Sequence, residues 1–510
     1  MAKQYDVDDQ SVVVVIGSGA GGGTLSNELA QKGVDVVCLE AGGRLSLSDV
    51  VNDPPLMDQR MGWHDERRGA SVWLCKTVGG TTMRWSGVCP RFLAHEFRAR
   101  TTYGAMDDTS LIDWPLTLEE LEPYYDKAET KMGISGTNGL PPSAENSNFK
   151  VLKAGAKRVG YQDITSAHIA INPIAYDGRP GCLQIGFCND GCAIGAKWST
   201  LYTEIPKAES TDHFELRTEA MVVKINHDDG GRVTGVVYAD KDGALHEQRA
   251  RAVCVACNVV ETTRLLLLSE TTLFPDGLAN SSGQVGKNYM RHMAHGAVAI
   301  MPGPVNAHRG ARQAGFIRDE HDHNPERGFA GGYLIELSGG TPQAHSQLAG
   351  WGADAQSWME NFSHRAGVFL VGEDPPQESN RITLHPTDKD TLGLPVPVLD
   401  YSAHPNTIAM KRHAAARAHE IYSALGATDI RDNTDQLGGG CHNMGVARMS
   451  ADPRDGVTNR WGQAHDVPNL FISDGSVFST SAAPNPTLTI VALAIRQADH
   501  IALRMSRGEL

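Results

Sequence analysis

The apolar positions of this chain begin with an unbroken run, Val12 to Ile16, followed at once by glycines. Such a run suits a strand buried on both faces. Helical spacing then extends from about Gly21 to Gln31, Lys32-Gly33 stops it, and Val34 to Leu39 reads as a second buried strand ending at Glu40. The pattern predicts a βαβ unit. Gly17, Gly19 and Gly22 spell G-x-G-x-x-G between its first strand and its helix. There the first glycine permits a tight turn, the second lets the backbone approach a pyrophosphate, and the third lets helix and strand pack closely. The helix N-terminus offers free N–H groups to the phosphates. Glu40 stands where a carboxylate accepts hydrogen bonds from ribose hydroxyls and disfavours the extra phosphate of NADP. The stretch predicts a bound dinucleotide. The competing reading is a glycine-rich turn with Glu40 as a solvated charge.

Further along, Val51 to Trp73 is polar and aperiodic and predicts a loop. Val78 to Gly87 (VGGTTMRWSG) combines paired glycines with hydroxyls. It suits either a backbone lying against a flat ligand or an ordinary loop with Trp85 in the core. Thr117 suits the N-cap of an amphipathic helix closed by Gly133, in which Tyr124 and Tyr125 read as packing residues. Segment 137–150 reads as a linker. Alternating strands occupy 214–256, and the run from Ala252 to Cys257 leads into a helix. Residues 297–400 mix glycine-rich loops with strand-like runs. The charged stretch Asp319 to Arg327 reads as a solvated loop with no metal role. Ile408 to Leu425 has helical spacing and ends at Gly426. In the last helix, running to Met505, Asn485 suits the N-cap and Pro486 the first position. No internal repeat is seen.

Composition narrows the function class. A chain of 510 residues predicts two domains, and 41% hydrophobic residues is ordinary for a globular core. A net charge of −14 without a basic run argues against nucleic acid and against an anionic membrane surface. No apolar stretch approaches the length of a membrane span. The start, MAKQYDVDDQ, lacks the segments of a signal peptide, so the expected location is the cytoplasm. Of nine cysteines, Cys38, Cys75, Cys89, Cys254, Cys257 and Cys441 are scattered and read as buried thiols. Cys182, Cys188 and Cys192 cluster.

The βαβ unit, VGGTT-x-x-W at 78–85, HNMG at 442–445, NLFISDGS at 469–476 and NPTLTI at 485–490 come in this order. Together they resemble the glucose–methanol–choline (GMC) family of FAD oxidoreductases, and within it pyranose 2-oxidases, glycoside 3-oxidases and the catalytic subunit of bacterial FAD glucose dehydrogenase. The resemblance implies an α/β fold: a Rossmann-like FAD-binding domain from 1–100, 215–300 and 435–510, interleaved with an α+β substrate domain from 101–214 and 301–434 that carries a mixed or antiparallel sheet. It implies that Gly17, Gly19, Gly22 and Glu40 hold the ADP half of FAD. Gly79, Gly80 and Thr81 would lie near the isoalloxazine, Asp474 and Gly475 near the pyrophosphate and ribityl, and Thr487 at the pyrimidine end. In pyranose 2-oxidases a histidine before the loop tryptophan is bonded to the flavin. Here that residue is Arg84, which implies noncovalent FAD. The family's catalytic pair falls on His442 and Asn485. The residue types suit the chemistry, because a neutral imidazole takes a hydroxyl proton and an amide donates to the developing alkoxide.

The DGRP–cysteine segment around Cys182, Cys188 and Cys192 resembles one that holds a three-iron cluster in the glucose dehydrogenase subunit. That pattern has two adjacent cysteines at its start, whereas Cys182 is followed by Leu183. Relatives without a cluster also carry C-x-x-G-C-x-x-G-A-K. Structural cysteines are therefore favoured over iron–sulfur ligands. The resulting expectation is an FAD-dependent oxidation of a secondary hydroxyl of a sugar or glycoside, with oxygen as acceptor and hydrogen peroxide as product. The alternative is a dehydrogenase passing electrons through an iron–sulfur centre to an electron-transfer subunit, a cytochrome or a quinone. A flavin-binding redox sensor is a third class, against which the His442/Asn485 pair argues.

Overall fold

A computed structural model describes residues 3–63, 67–70, 72–433 and 442–510. Cys441 and the three glycines before it lie outside the described residues.

The apolar run at the start forms β1 (Val13–Ile16), followed by α1 (Ala20–Gln31) and β2 (Val36–Leu39). β1 is the centre of a five-stranded sheet. β2 and then Phe214–Arg217 lie on one side, Ala252–Val255 and then Leu470–Ile472 on the other, and every pairing is parallel. Val13 and Val15 point into a core with Leu25 and Leu29 of α1 and with Ala494 and Ala498 of the last helix, Thr487–Ser506. Val14 and Ile16 point into a second core that contains Val253, Trp114 and Tyr125. Both faces are covered, so the strands read as continuous apolar runs without alternation.

A six-stranded antiparallel sheet builds the other half. Its order is Asp429–Asn433, Met293–Ile300, Arg365–Gly372, Tyr333–Leu337, Gly315–Ile317 and Ile164–Ser166. Helices Ser147–Arg158 and Pro405–Ser423 pack on it through Phe149, Leu152, Met410, Ala414 and Ile421. Met293–Ile300, grouped by the sequence with the nucleotide half, is an inner strand of this sheet. Its run of small apolar residues reports burial on both faces but not which sheet supplies the partners.

Local chemistry explains where elements start and stop. Thr117 caps helix Leu118–Met132 and exchanges hydrogen bonds with Glu120, and Gly133 closes it at φ 69°. Helix Pro54–Met61 lies where a loop was expected. Its two prolines occupy the first positions, where no N–H is required, and the Asp53 carboxylate accepts from the Leu56 N–H. Helix Pro405–Ser423 starts three residues before the expected Ile408, because Pro405 again fits the first turn and His404 Nδ1 accepts from the Asn406 N–H. The last helix starts at Thr487 with Pro486 in the cap position and no side-chain cap. Asn485 therefore lies outside the helix and does not cap it, contrary to the sequence expectation. Among the described residues no helix is long and apolar enough to cross a membrane.

Candidate active site

A cavity of about 740 Å³ opens beyond the C-terminal ends of β1 and β2, where ligands bind in open α/β sheets. Gly17, Gly19, Glu40, Gly80, Thr81, Asp474, Gly475 and Thr487 line it, together with His442 and Asn485. Gly22 does not line it. A Cβ there would sit 2.0 Å from the Gly17 carbonyl oxygen, so Gly22 keeps α1 against the turn. Gly79, at φ 95°, is also absent from the lining and starts the short 3-10 turn Gly80–Met83.

The residues fit a dinucleotide. A Cβ on Gly19 would meet no protein atom nearer than 3.9 Å, so the absent side chain leaves room on the cavity side. No side chain caps α1, and its first turn carries no acid, so its N–H groups are free for phosphate oxygens. Asn258–Leu268 and Thr487–Ser506 also present their first residues to the cavity, so three helix N-termini converge on it. Glu40 is 6% exposed. Burial pushes its carboxyl up, against hydrogen bonds from the Ser18 hydroxyl at 2.7 Å and the N–H groups of Ser18 (3.0 Å) and Gly42 (2.9 Å). Asp474 accepts from the Thr262 hydroxyl (2.6 Å) and the Ser476 N–H (2.8 Å). The loop from Gly80 to Gly87 is tied down by Lys197, 1% exposed, whose ammonium donates to the carbonyls of Met83, Trp85 and Cys188. Burial pushes Lys197 down to about 8. Arg84 lines the cavity and pairs with Asp58.

His442 does not stand alone. Met290 and Met444 form an antiparallel bridge through two backbone hydrogen bonds, of 2.9 and 3.0 Å. Continued by two residues, that register places His292 opposite His442, and their Nδ1 atoms lie 2.9 Å apart. His292 Nε2 is 3.2 Å from the Ser481 carbonyl. On its other side, His442 Nε2 is 3.5 Å from Asn485 Nδ2. Asn485 Oδ1 is buried without a hydrogen-bond partner. Burial, with His292 beside it, holds His442 well below the ordinary imidazole range, and burial pushes His292 down to about 4. Burial thus disfavours the charged form of both rings. Next to them Glu336, buried in the six-stranded sheet, takes a hydrogen bond from Gln313 and is pushed up to about 8 by burial. Gln313, Ser338 and Phe369 line the cavity from that sheet. Sequence reasoning missed His292, Gln313 and Glu336, because they meet the pair only through long-range pairing.

Cys182, Cys188 and Cys192 are free thiols packed against the core of the six-stranded sheet. Burial pushes Cys182 up to about 11 and raises Cys188. Lys197 ties this segment to the Gly80–Gly87 loop, donating to the carbonyls of both Trp85 and Cys188.

The buried imidazoles make stability depend on pH with a definite sign. A histidine whose folded pKa is depressed leaves the folded state with fewer bound protons than the unfolded chain below about pH 6.5, so stability falls as pH drops through that window. For His292 the window runs from about 6.5 down to about 4. Each pKa unit corresponds to about 1.4 kcal/mol. Denaturant unfolding across this range is expected to be less pH-dependent in His292→Gln than in the natural protein; equal slopes would show that His292 is not held neutral.

Sequence models of the GMC oxidoreductase family match residues 28–294 and 376–494. The 2-methyl-1,2-propanediol dehydrogenase of Mycolicibacterium austroafricanum is 35% identical over 98% of this chain and 96% of its own length. The fructose dehydrogenase large subunit of Gluconobacter japonicus is 30% identical over 97% of this chain and 98% of that one. The formate oxidase of Aspergillus oryzae, at 15% identity, shares the fold with a TM-score of 0.72, covering 99% of this chain and 100% of the other. The family binds FAD and acts on alcohols and sugars. The chain belongs to the GMC oxidoreductases.

Proposed function

We propose that this chain holds FAD without a covalent link and oxidises a secondary hydroxyl of a sugar or glycoside to the ketone, with His442 as base. The observation that carries the reading is the uncharged His442–Asn485 pair in the same cavity that the nucleotide-binding residues line. Gly17, Gly19, Glu40, Asp474, Gly475 and Thr487 would hold the cofactor, with Gly80 and Thr81 at its flavin end. Gly22 and Gly79 would shape the turns behind them. FAD, when bound, accepts the hydride from the carbinol carbon. His442 Nε2 takes the hydroxyl proton, and the Asn485 amide donates to the oxygen as negative charge develops. Gln313 and Ser338 offer hydrogen bonds to further hydroxyls, and Phe369 an apolar wall. The relatives' names, which include a diol and a sugar, support a polyhydroxy substrate.

His442→Ala is expected to keep its FAD and slow anaerobic reduction by substrate by about 100- to 10,000-fold, the range of a general base. Asn485→Ala is expected to raise the barrier by about 2–4 kcal/mol, as for loss of an oxyanion donor. Because Asn485 caps no helix, its melting temperature should stay near that of the natural protein. Unchanged reduction in His442→Ala would remove His442 as the base.

Oxygen is the acceptor in the first reading. A second reading, in which an electron-transfer subunit or quinone replaces oxygen, is favoured by one observation: two relatives aligned over nearly the whole chain are named dehydrogenases. Cys182, Cys188 and Cys192 would then be candidate cluster ligands. The oxidase reading expects the substrate-reduced enzyme to be reoxidised in air at the turnover rate with formation of hydrogen peroxide, iron to be absent, and acid precipitation to leave a colourless pellet. Reduced enzyme that persists in air yet bleaches a dye at once contradicts it in favour of the dehydrogenase. A yellow pellet contradicts noncovalent binding.

A further inference from the structure

We infer that His292 is a positioning residue that fixes the tautomer of His442, leaving the Nε2 lone pair of His442 bare toward the cavity. The inference rests on His442 being the base and adds how it is kept ready.

The argument is one of donors and acceptors. The Ser481 carbonyl can only accept, so at 3.2 Å His292 Nε2 must carry the hydrogen. In an uncharged imidazole the other nitrogen is then a bare acceptor. That nitrogen, Nδ1, is 2.9 Å from His442 Nδ1, which must therefore donate. His442, also uncharged, is left with a bare Nε2. The Asn485 amide stands 3.5 Å away with its Nδ2 hydrogens, a donor facing an acceptor. The opposite tautomer of His442 suffers twice. Two bare nitrogens would face each other across 2.9 Å, and an N–H would face the Asn485 N–H group.

The carbonyl that begins this chain is held from both sides. The Thr480 hydroxyl donates to the Glu96 carbonyl (3.1 Å), and the Ala483 N–H to the Glu96 carboxylate (2.7 Å). The Ser481 hydroxyl donates to the Asp374 carbonyl (3.1 Å) and accepts the Asp374 N–H (2.9 Å). Between these clamps Ala482 sits at φ 53°, a left-handed conformation that a non-glycine residue keeps only where its surroundings impose it. Asn485 follows two residues after Ala483. One strap thus supplies the carbonyl behind the imidazole pair and the amide in front of it.

A neutral orienting group has a second consequence. A carboxylate behind His442 would raise its pKa, whereas burial, with His292 beside it, holds it below the ordinary imidazole range. Once His442 takes the substrate proton, its Nδ1–H becomes a charge-assisted donor to His292 Nδ1. Of the buried carboxylates, Glu96 acts on His292 through charge alone, and Glu336, which burial pushes up to about 8, is hydrogen-bonded to Asn485 rather than to either ring.

The test compares His292→Leu, which removes the acceptor, with His292→Gln, whose amide can accept from His442 and donate to Ser481. His292→Leu should slow anaerobic flavin reduction by about 10²- to 10⁴-fold, as expected when a catalytic histidine loses its orienting partner. His292→Gln should recover most of that loss at the same FAD content. A second readout is independent of turnover. In histidine-¹⁵N-labelled protein, the signal that disappears in His442→Ala should show a protonated Nδ1 and a bare Nε2, and in His292→Leu that signal should shift toward a protonated Nε2. Equal impairment in Leu and Gln, an unimpaired Leu variant, or a protonated Nε2 in the natural protein would each overturn the inference. Failure of the base reading would look different: His442→Ala itself would reduce normally while the nitrogen signals kept the pattern described.

Discussion

Two imidazoles in contact, one buried and one half-buried at the cavity wall, are the interaction on which the rest of the site depends. Water around either ring would let it protonate near neutral pH, and a protonated His442 could not accept a proton. The protein counters this by burying His292, half-burying His442 at the cavity wall and giving each ring hydrogen a defined acceptor. The cost of that burial is reduced stability in acid, since the unfolded chain takes up protons that the folded one refuses.

That arrangement is possible because two separate pieces of chain are brought into register. The Met290–Met444 bridge joins the segment entering the antiparallel sheet to the segment that leads to the last strand of the parallel sheet, Leu470–Ile472. The strap from Thr480 to Asn485 crosses behind and in front of the pair on its way into the last helix, whose N-terminus also faces the cavity. His442, Asn485 and the cavity wall therefore share one set of supports. A shift in the strap would move the Ser481 carbonyl and the Asn485 amide together.

What the sequence made legible was local. The βαβ unit was readable because burial on both faces, a tight turn and a strand-end acid all lie within one short stretch, Val12 to Glu40. Helix Leu118–Met132 was readable from Thr117 at its start and Gly133 at its end. What stayed hidden was non-local or ambiguous. His292 looks like one more histidine before an apolar strand, and nothing near it in sequence points to a residue 150 positions away. Asn485-Pro486 has the chemistry of a helix cap, but the helix starts one residue later and the amide serves the cavity instead. Pro54-Pro55 reads as a breaker until the helix is seen to begin there. Whether an apolar run such as Met293–Ile300 joins the parallel or the antiparallel sheet depends on partners that periodicity cannot name.

The most direct measurement is the rate of anaerobic flavin reduction by a sugar or glycoside carrying deuterium at the carbinol carbon, followed from pH 5.5 to 9. If an uncharged His442 accepts the proton while hydride leaves that carbon, the deuterated substrate reduces the flavin several-fold more slowly, and the protiated rate stays flat down through pH 6.5. An isotope-independent rate, or one that falls away with an apparent pKa near 6.5, contradicts the account.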